Sequence, residues 1–326
     1  MINKTRITKI LIILLLLFTS SCSKNDDSVK PLTIAINSWA GYSFALLADK
    51  LGYLNQNKTS SIKFIHYPSL SDSKRAYIDG NVDGMFSTLY EMVDAISYEH
   101  KKPKVIMITN ISNGADKILA KKDYLHLNDL KNKPIAVEQN SIGSYMLSRA
   151  LTQHQLLSKD YIIKYMHIDK MKQALINDEI AAVVSYSPHL NTLLSYAPNT
   201  VFHSGLMEDE ILDILVIDEP IIASHFEQIK IILKGWNKAY QYYLKNPEKA
   251  TKILQQITEL KEVNLQKDLQ GIKIVDYSQA DIVTKLPDML EKSFQLMMST
   301  QSQRGGISRN LSVQDIVYQD LFKLYQ

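Results

Sequence analysis

The sequence has very little cysteine and no surplus of positive charge. It contains one cysteine, Cys22, among 326 residues. A single cysteine excludes an internal disulfide, a Cys-x-x-Cys redox pair and a zinc site built from several thiolates. The first 21 residues hold three of the 37 basic residues and no acid, which leaves 34 basic and 34 acidic residues in the rest. A neutral body argues against a nucleic-acid partner, because such partners need a basic face.

Catalytic and nucleotide-binding motifs are missing as well. The sequence has no GxxxxGK[ST] loop, no GxGxxG after a strand, no HExxH and no GxSxG. Its eight histidines are scattered, and His66, His167 and His203, at predicted strand ends, are expected to be hydrogen-bonded structural residues. We therefore predict no catalytic residue, no metal site and no cofactor, and the protein is not expected to be an enzyme.

The N-terminus has the pattern of a bacterial secretion signal. A basic stretch precedes nine apolar residues, Ile10–Phe18, which are too few to cross a bilayer as a helix. Cys22 follows small residues at the end of this run, which resembles a lipobox, where the cysteine is lipidated. We predict a lipoprotein signal peptide over 1–21 and a polar tether over 22–30. An uncut anchor and an unmodified lone cysteine are the alternatives.

Short apolar runs alternate with helical patterns along the next part of the chain, which is typical of βαβ units. The predicted strands of the first set are Leu32–Asn37, Ile62–His66, Val82–Phe86 and Val105–Thr109. Those of the second set are Ile118–Ala120, Pro134–Glu138, Ile163–His167, Ile180–Ser185 and Thr200–His203. The pattern predicts two α/β units, each with a mostly parallel sheet flanked by helices, which include helices over Leu70–Ile78 and Pro188–Tyr196.

One more strand, Ile214–Ile217, precedes a largely helical remainder. The predicted helices there are Phe226–Leu244, Pro247–Thr258, Val263–Leu269, Thr284–Thr300 and Val313–Tyr325. The first of them carries an apolar stripe made of Ile229, Ile232, Leu233, Trp236, Tyr240 and Tyr243. This stripe predicts that the helix packs against the first sheet rather than around a cofactor.

The turns that follow the predicted strands are rich in serine, threonine and asparagine. In open α/β sheets, ligands bind beyond the carboxyl ends of the strands, and helix N-termini there offer free N–H groups. Plain N-capping is the alternative explanation for each of these hydroxyls. Trp39 and Tyr186 are poor caps, and each is expected either to stack on a ligand or to plug its own unit.

Several of these segments resemble blocks of bacterial solute-binding proteins of ABC importers, in the nitrate, sulfonate, bicarbonate and thiamine-precursor (NMT1/THI5-like) group. They are IAINSWAGY at 34–42, YPSLS at 67–71, GNVDG at 80–84 leading to Glu91, SNGAD at 112–116, LNDLKNKPIAV at 127–137, AVVSYSP at 182–188 and SGLMEDEILD at 204–213. The blocks define the superfamily and not the solute. Eukaryotic relatives that make the thiamine pyrimidine use a cysteine-rich motif, which this chain lacks.

The resemblance implies a two-lobed periplasmic-binding-protein-like fold of type II. Lobe 1 would comprise 31–113 and 208–326, with its helical C-terminal part packed on the first sheet, and lobe 2 would comprise 114–207. Crossings at 112–116 and 204–213 would form the hinge. The solute would be a sulfonate, a nitrate-like anion or a pyrimidine of the thiamine-precursor class. A pyrimidine-synthase-like enzyme and a sensory module for a signalling partner are the alternatives.

The ligand-binding residues implied by this resemblance come from both lobes. They are Trp39, Gly41, Tyr42, Ser69, Thr88, Glu91, Ser112, Asn113, Asp116, Ser141, Ser144 and Tyr186. If Glu91 and Asp116 face the cleft, they weigh against a bare anion and favour a basic nitrogen or hydroxyls; capping is the alternative for both. The expected partners are an ABC permease with its ATPase and, through lipid on Cys22, a bacterial membrane. We expect an extracytoplasmic monomer.

Overall fold

Two β-sheets organise the protein. The computed structural model describes residues 30–54, 61–257, 260–261, 263–303, 311–318 and 320. The predicted signal peptide, Cys22 and the tether up to residue 29 lie outside this part of the chain. Within it, no helix is both long and apolar enough to cross a membrane.

The secondary structure alternates as the sequence predicts. The strands are β1 (Leu32–Ile36), β2 (Ile62–His66), β3 (Gly84–Thr88), β4 (Pro103–Ser112), β5 (Asp116–Ala120), β6 (Pro134–Val137), β7 (Ile162–Tyr165), β8 (Ala182–Tyr186), β9 (Asn199–His203), β10 (Leu212–Asp218) and β11 (Ile272–Ile274). The helices of the first two thirds are α1 (Ser43–Lys50), α2 (Leu70–Ile78), α3 (Leu89–Ala95), α4 (Ile142–Gln153), α5 (Ile168–Ile176) and α6 (Leu190–Leu193). Those of the remainder are α7 (Glu219–Ile222), α8 (Phe226–Lys245), α9 (Pro247–Leu254), α10 (Leu265–Asp268), α11 (Ala280–Val283), α12 (Leu286–Gln303) and α13 (Val313–Ile316).

The strands form one sheet of six and one of five. Their orders are β11-β4-β10-β3-β1-β2 and β7-β6-β8-β5-β9. In the first sheet β10 and β11 run against the other four strands, and in the second only β5 is reversed. Most strands of each sheet therefore share one direction, as predicted. The reversed strands β5 and β10 are those that directly follow a crossing between the sheets.

The chain passes between the sheets twice. It leaves the first sheet after β4 and returns at β10, so residues 116–203 supply every strand of the second sheet. We call residues 116–203 the second unit and the remainder of the described chain the first unit. The two-sheet α/β fold predicted from the sequence is confirmed.

Helix α8 anchors the C-terminal part on the first unit. Trp236 is buried, stacks on Phe86 of β3 with 6.0 Å between ring centroids, and meets Phe44 of α1 at 5.6 Å. Tyr240 and Tyr243 also contact Phe44, at 5.1 and 5.5 Å. The apolar stripe of α8 thus reaches the sheet at Trp236 and packs on α1 along its second half.

Helix α2 shows how local sequence sets the bounds of an element. Ser69 lies at its N-cap and accepts a hydrogen bond from the Asp72 backbone N–H at 3.1 Å. Asp79 follows its last residue, and Gly80 has a φ of 75°, a left-handed conformation that glycine adopts readily. The helix therefore has the bounds that the sequence predicts.

The C-terminal part departs from prediction in several places. The helix predicted over Val313–Tyr325 ends at Ile316, because Val317 pairs with Val105 of β4; residues 321–326 lie outside the described chain. The segment between α10 and α11 forms β11, which was not predicted, and Val263–Leu269 is helical only over Leu265–Asp268. The helix predicted over Pro188–Tyr196 is likewise reduced to α6.

Candidate functional site

A narrow cavity lies between the two units. Three of the predicted ligand-binding residues line it, Asp116, Ser141 and Tyr186, together with Leu70, Glu138 and Ser185. Leu70 begins α2 of the first unit, and the others belong to the second. The cavity has room for about one water molecule. A solute larger than that does not fit in the cavity as it stands.

Two aromatic residues meet where the units face each other. Trp39 follows β1 in the first unit, and Tyr186 ends β8 in the second. Their rings are 5.8 Å apart and nearly perpendicular, and both are buried. The indole N–H of Trp39 donates to Asn110 Oδ1 at 3.1 Å, which fixes the orientation of the ring. We call this contact between the two units the aromatic wall; that it stacks on a ligand stays a prediction.

Gly41 allows Trp39 and Asn110 to approach each other. A Cβ atom at position 41 would lie 2.5 Å from Trp39 Nε1 and 2.4 Å from Asn110 Nδ2, closer than real Cβ atoms come. Gly41 therefore positions the aromatic wall. It does so by lacking a side chain.

Replacing Gly41 with alanine is expected to break the Trp39–Asn110 hydrogen bond and to cost about 1–3 kcal/mol of unfolding free energy. Urea unfolding followed by tryptophan fluorescence measures both effects. Gly143→Ala is the matched control, since a Cβ there meets nothing closer than 3.3 Å. Equal stability and equal emission spectra for the two variants would show that Gly41 has no such role.

Glu91 links the units through a backbone donor. It lies in the first turn of α3 and is fully buried. Its Oε1 accepts from the Ile142 N–H of α4, in the second unit, at 2.7 Å, and its Oε2 accepts from the Thr88 hydroxyl. Burial raises the pKa of Glu91, while Lys74, the Thr88 hydroxyl and the Ile142 N–H oppose that rise. The carboxyl occupies the N-terminus of α4, the position that suits a negative charge.

Three further buried carboxyls surround this contact. Burial raises the pKa of Asp116 to about 7, the Ser112 hydroxyl opposes that rise, and Glu91 adds to it. Burial also raises the pKa of Glu138 to about 7. The pKa of Asp213 lies well above its usual range because of burial, although the Tyr42 hydroxyl donates to Asp213 Oδ1 at 2.5 Å. The cleft is therefore strongly acidic in composition.

Several predicted hydroxyls cap helices. Ser69 caps α2, the Thr88 hydroxyl accepts from the Tyr90 N–H at the start of α3, and Ser141 caps α4 in a reciprocal pair with Ser144. The capping interpretation of these four residues is confirmed. Only Ser141 also lines the cavity.

The two crossings meet at a hydrogen-bonded junction. Ser112 Oγ lies 2.8 Å from Ser204 Oγ, which also accepts from the Gly114 N–H at 2.7 Å. The Asn113 N–H donates to the Gly271 carbonyl at 2.6 Å, which brings the turn before β11 to the same point. Ser112 and Asn113 are thus placed at the crossing and not in the cavity wall.

Further contacts join the units at the edges of the cleft. Lys74 of α2 donates to the Asn140 carbonyl at 2.7 Å and pairs with Asp94 at 2.5 Å. His167, ahead of α5, pairs with Asp72 at 2.8 Å. Burial alone would lower the pKa of His167, but Asp72 raises it, as do Glu138 and Asp169, and the net shift is upward.

The other two strand-end histidines, His66 and His203, have different surroundings. His66 Nε2 lies 3.0 Å from Ser38 Oγ, within hydrogen-bond distance, as expected of a structural residue. The His203 ring packs at the crossing, where a Cβ at Gly205 would lie 2.9 Å from its Nδ1. Through the described ranges, no cluster of three or more histidine, cysteine or acidic side chains is arranged to hold a metal ion.

Some of the residues predicted from the sequence to bind a ligand lie close together in the structure. Trp39, Glu91, Asp116, Ser141 and Tyr186 converge on the cleft, whereas Tyr42 lies in the core of the first unit. Asn110, Glu138, Ser185 and Asp213 were missed. Asn110 is in a turn already considered, Glu138 ends a predicted strand and Ser185 ends another, so reading every polar strand-end residue would have found them. Asp213 is the second residue of β10 and lies within a block that carries the family resemblance.

Comparisons with known proteins agree on the architecture. The family model described as NMT1/THI5 like matches residues 43–250. A protein of Brucella abortus, named as a candidate binding protein, is 22% identical over 176 residues, which are 53% of this chain and 55% of that protein. The chain therefore spans about half the length of the curated relatives that it matches.

Two solved structures have the same fold. The alkanesulfonate-binding protein SsuA from Xanthomonas axonopodis pv. citri aligns with a TM-score of 0.71 and 15% identity, over 88% of this chain and 98% of that one. The periplasmic nitrate-binding protein NrtA from Synechocystis aligns with a TM-score of 0.73 and 12% identity, over 91% and 88%. At such low identity the similarity establishes the fold and not the solute.

Proposed function

The chain belongs to the NMT1/THI5-like family, and on that premise we propose that it is an extracytoplasmic substrate-binding protein that captures a small solute for an ABC importer. The observation that carries the proposal is the cleft between two α/β units joined by two crossings. Its walls combine residues of both units, such as Trp39 with Tyr186 and Glu91 with Ile142. Structural neighbours whose names describe sulfonate and nitrate binding share this fold, which supports the capture of a small molecule.

Capture works by closure of the two units. A solute in the cleft contacts both walls only when the units are together, so it stabilises the closed arrangement over the open one. The crossings near Ser112–Asp116 and 204–213 are the hinge, and lobe 1 (31–113 and 208–326) moves against lobe 2 (114–207). The closed form then docks on the permease, and its ATPase drives transport.

The protein acts as a monomer attached to the membrane by lipid. Signal peptidase removes residues 1–21, and acyl chains on Cys22 hold the protein at a bacterial membrane, outside the cytoplasm. More than one chain gives stable anchoring, because one acyl chain alone binds only weakly and reversibly. Residues 22–30 then serve as a tether. The proposed lipid anchor is supported by the lipobox resemblance and by the position of the single cysteine.

Of the solute classes that the family suggests, the acidic cleft favours a nitrogen heterocycle of the pyrimidine type over a sulfonate or nitrate. The buried carboxyls, where ionised, would repel a bare anion, whereas amino groups and protonated ring nitrogens offer N–H donors to them. Trp39 and Tyr186, whose rings are nearly perpendicular, each offer an aromatic face on which such a ring can stack.

A thermal-shift screen of purified protein against sulfonates, nitrate, pyrimidines and polyamines tests the capture function. A solute at 100 times its Kd is expected to add about 2.7 kcal/mol of unfolding free energy by mass action. Small-angle scattering should show a smaller radius of gyration with the hit than without it. Trp39→Ala is expected to weaken binding of the hit about tenfold or more, and Trp236→Phe, which changes the other tryptophan, is the control. Turnover of a substrate without a stable complex would contradict the proposal.

A further inference from the structure

The carboxyls of the cleft lack basic partners. Glu91 and Asp213 come from the first unit and Asp116 and Glu138 from the second, and each residue is at least nine-tenths buried. Across the described chain, no lysine or arginine forms an ion pair with any of the four. The charge of Lys74 opposes the rise that burial causes in the pKa of Glu91. The Lys74 ammonium itself, however, donates to Asp94 and to the Asn140 carbonyl. None of the four carboxyls is therefore neutralised by a direct ion pair with lysine or arginine, and Lys74 and His167 act on Glu91 and Glu138 only from the edges of the cleft.

Polar atoms in the cavity wall also lack hydrogen-bond partners. Glu138 Oε1 and Ser185 Oγ are buried and accept or donate no hydrogen bond among the described residues, and both residues line the cavity. Asp213 Oδ2 is also buried and has no hydrogen-bond partner among the described residues. Leaving a buried polar atom unpaired costs about 1–3 kcal/mol, and more for a charged group. Such atoms indicate a site whose hydrogen-bonding capacity is completed by a bound molecule.

Two backbone donors at the N-terminus of α4 are already occupied. The Ile142 N–H at the start of α4 donates to Glu91, and the Ser144 N–H donates to the Ser141 hydroxyl. An anionic solute at this helix N-terminus would have to displace the carboxylate of Glu91. A solute with N–H donors would instead meet the free acceptor Glu138 Oε1 in the cavity wall.

The aromatic wall suits a positive charge as well. The face of a tryptophan or tyrosine ring attracts an ammonium or guanidinium group within about 6 Å of the ring centroid. Trp39 and Tyr186 lie next to the carboxyls, so a cation in the cleft would meet both kinds of stabilising group. Carboxylates and aromatic rings both attract a cation more strongly in the protein interior than in water, because the interior screens charge less.

From these observations we propose that the captured solute carries a positively charged nitrogen group, an ammonium or an amidinium, and that the cleft rejects sulfonates and nitrate. This inference rests on the proposed capture function and narrows it. The charged nitrogen lies among Asp116, Glu138 and Asp213, and Trp39 with Tyr186 covers the body of the solute.

The test lets the protein select its own solute. Purified protein is unfolded and refolded to remove any carried solute, incubated at pH 8 with a deproteinised extract of bacterial metabolites, washed and denatured. The released molecules are then divided on cation- and anion-exchange resins and identified by mass spectrometry. Enrichment of a molecule retained by the cation exchanger, at least tenfold over a mock sample, is the expected result.

The remaining outcomes separate the two proposals. Enrichment of an anionic or neutral molecule would overturn the charge assignment while supporting solute capture. No enriched molecule at all would overturn both.

The double variant Asp116→Asn, Glu138→Gln should retain the cation at least tenfold less than the wild type, and its thermal unfolding shows whether it is folded. Glu227→Gln, on the exposed surface of α8, should retain it fully. Undiminished retention by the double variant would remove these carboxyls from the site.

Discussion

Replacing Asp116 with asparagine is expected to raise the free energy of unfolding by about 2–4 kcal/mol at pH 8 and to change it little at pH 4. Burial raises the pKa of Asp116 to about 7, whereas the unfolded chain has the ordinary value of 3.8. Asparagine keeps the shape of the side chain, and its amide can bond to the Ser112 hydroxyl. It removes the charge that the cleft holds at high pH without a basic partner.

The sign follows from proton uptake. Between pH 4 and pH 7 folded Asp116 holds a proton that the unfolded chain has lost, so the folded protein binds more protons and stability falls as pH rises. Neighbouring Glu91 and Asp213 act in the same direction, because each carboxylate disfavours ionisation of the next. Glu138 titrates over the same range, while Lys74 and His167 oppose the effect from the edges of the cleft. Comparing wild type with the variant isolates Asp116.

Guanidinium unfolding at pH 4, 6 and 8 measures this dependence. Asp129→Asn is a control of opposite sign, because backbone N–H groups of His126 and Leu125 lower the pKa of the exposed Asp129 carboxyl. That variant should lose stability at neutral pH, since it removes a favourable charge. If Asp116→Asn destabilises the protein equally at every pH, the carboxyl is ionised and satisfied in the folded state and the electrostatic account of the cleft is wrong.

Trp236→Ala is expected to lower the free energy of unfolding by about 3–5 kcal/mol. The side chain is buried among Phe86 of the sheet and Phe44 of α1, so its removal leaves a cavity between the C-terminal helices and the first unit. Chemical unfolding followed by circular dichroism measures the loss, because fluorescence would report only Trp39 in this variant.

Leu244→Ala on the same helix is the matched control. Leu244 is largely exposed, and its truncation should change stability by less than about 0.5 kcal/mol. Trp236→Phe should fall between the two, since it keeps an aromatic ring against Phe44. A loss below about 1 kcal/mol for Trp236→Ala would mean that α8 is not anchored to the first unit through this residue.

Elements governed by local sequence were predictable. β2 and α2 have the predicted bounds, because an apolar run sets the first and a serine cap with a terminal glycine sets the second. β4 was predicted over 105–109 but spans Pro103–Ser112. Its polar end, including Asn110, is buried near the crossing between the sheets and pairs with β10, about a hundred residues away in sequence. A window on local hydrophobicity carries no information about such a partner.

The position of the site could be predicted from the sequence, but the contacts and charges within it could not. The rule that ligands bind at strand ends placed Trp39, Glu91 and Asp116 near one another. It could not tell that Glu91 would accept from a helix of the other unit, or that Glu138 and Asp213 would join it. Those relations depend on how two separately folded sheets face each other. Burial and charge therefore had to be taken from the structure.

The two hydroxyls that meet at the crossings, those of Ser112 and Ser204, have a consequence for how this gene can be rearranged. They bring the beginning and end of an inserted segment side by side, 2.8 Å apart. The host portion would be left with neighbouring chain ends if the insert were excised, and a linker of a few residues would rejoin them.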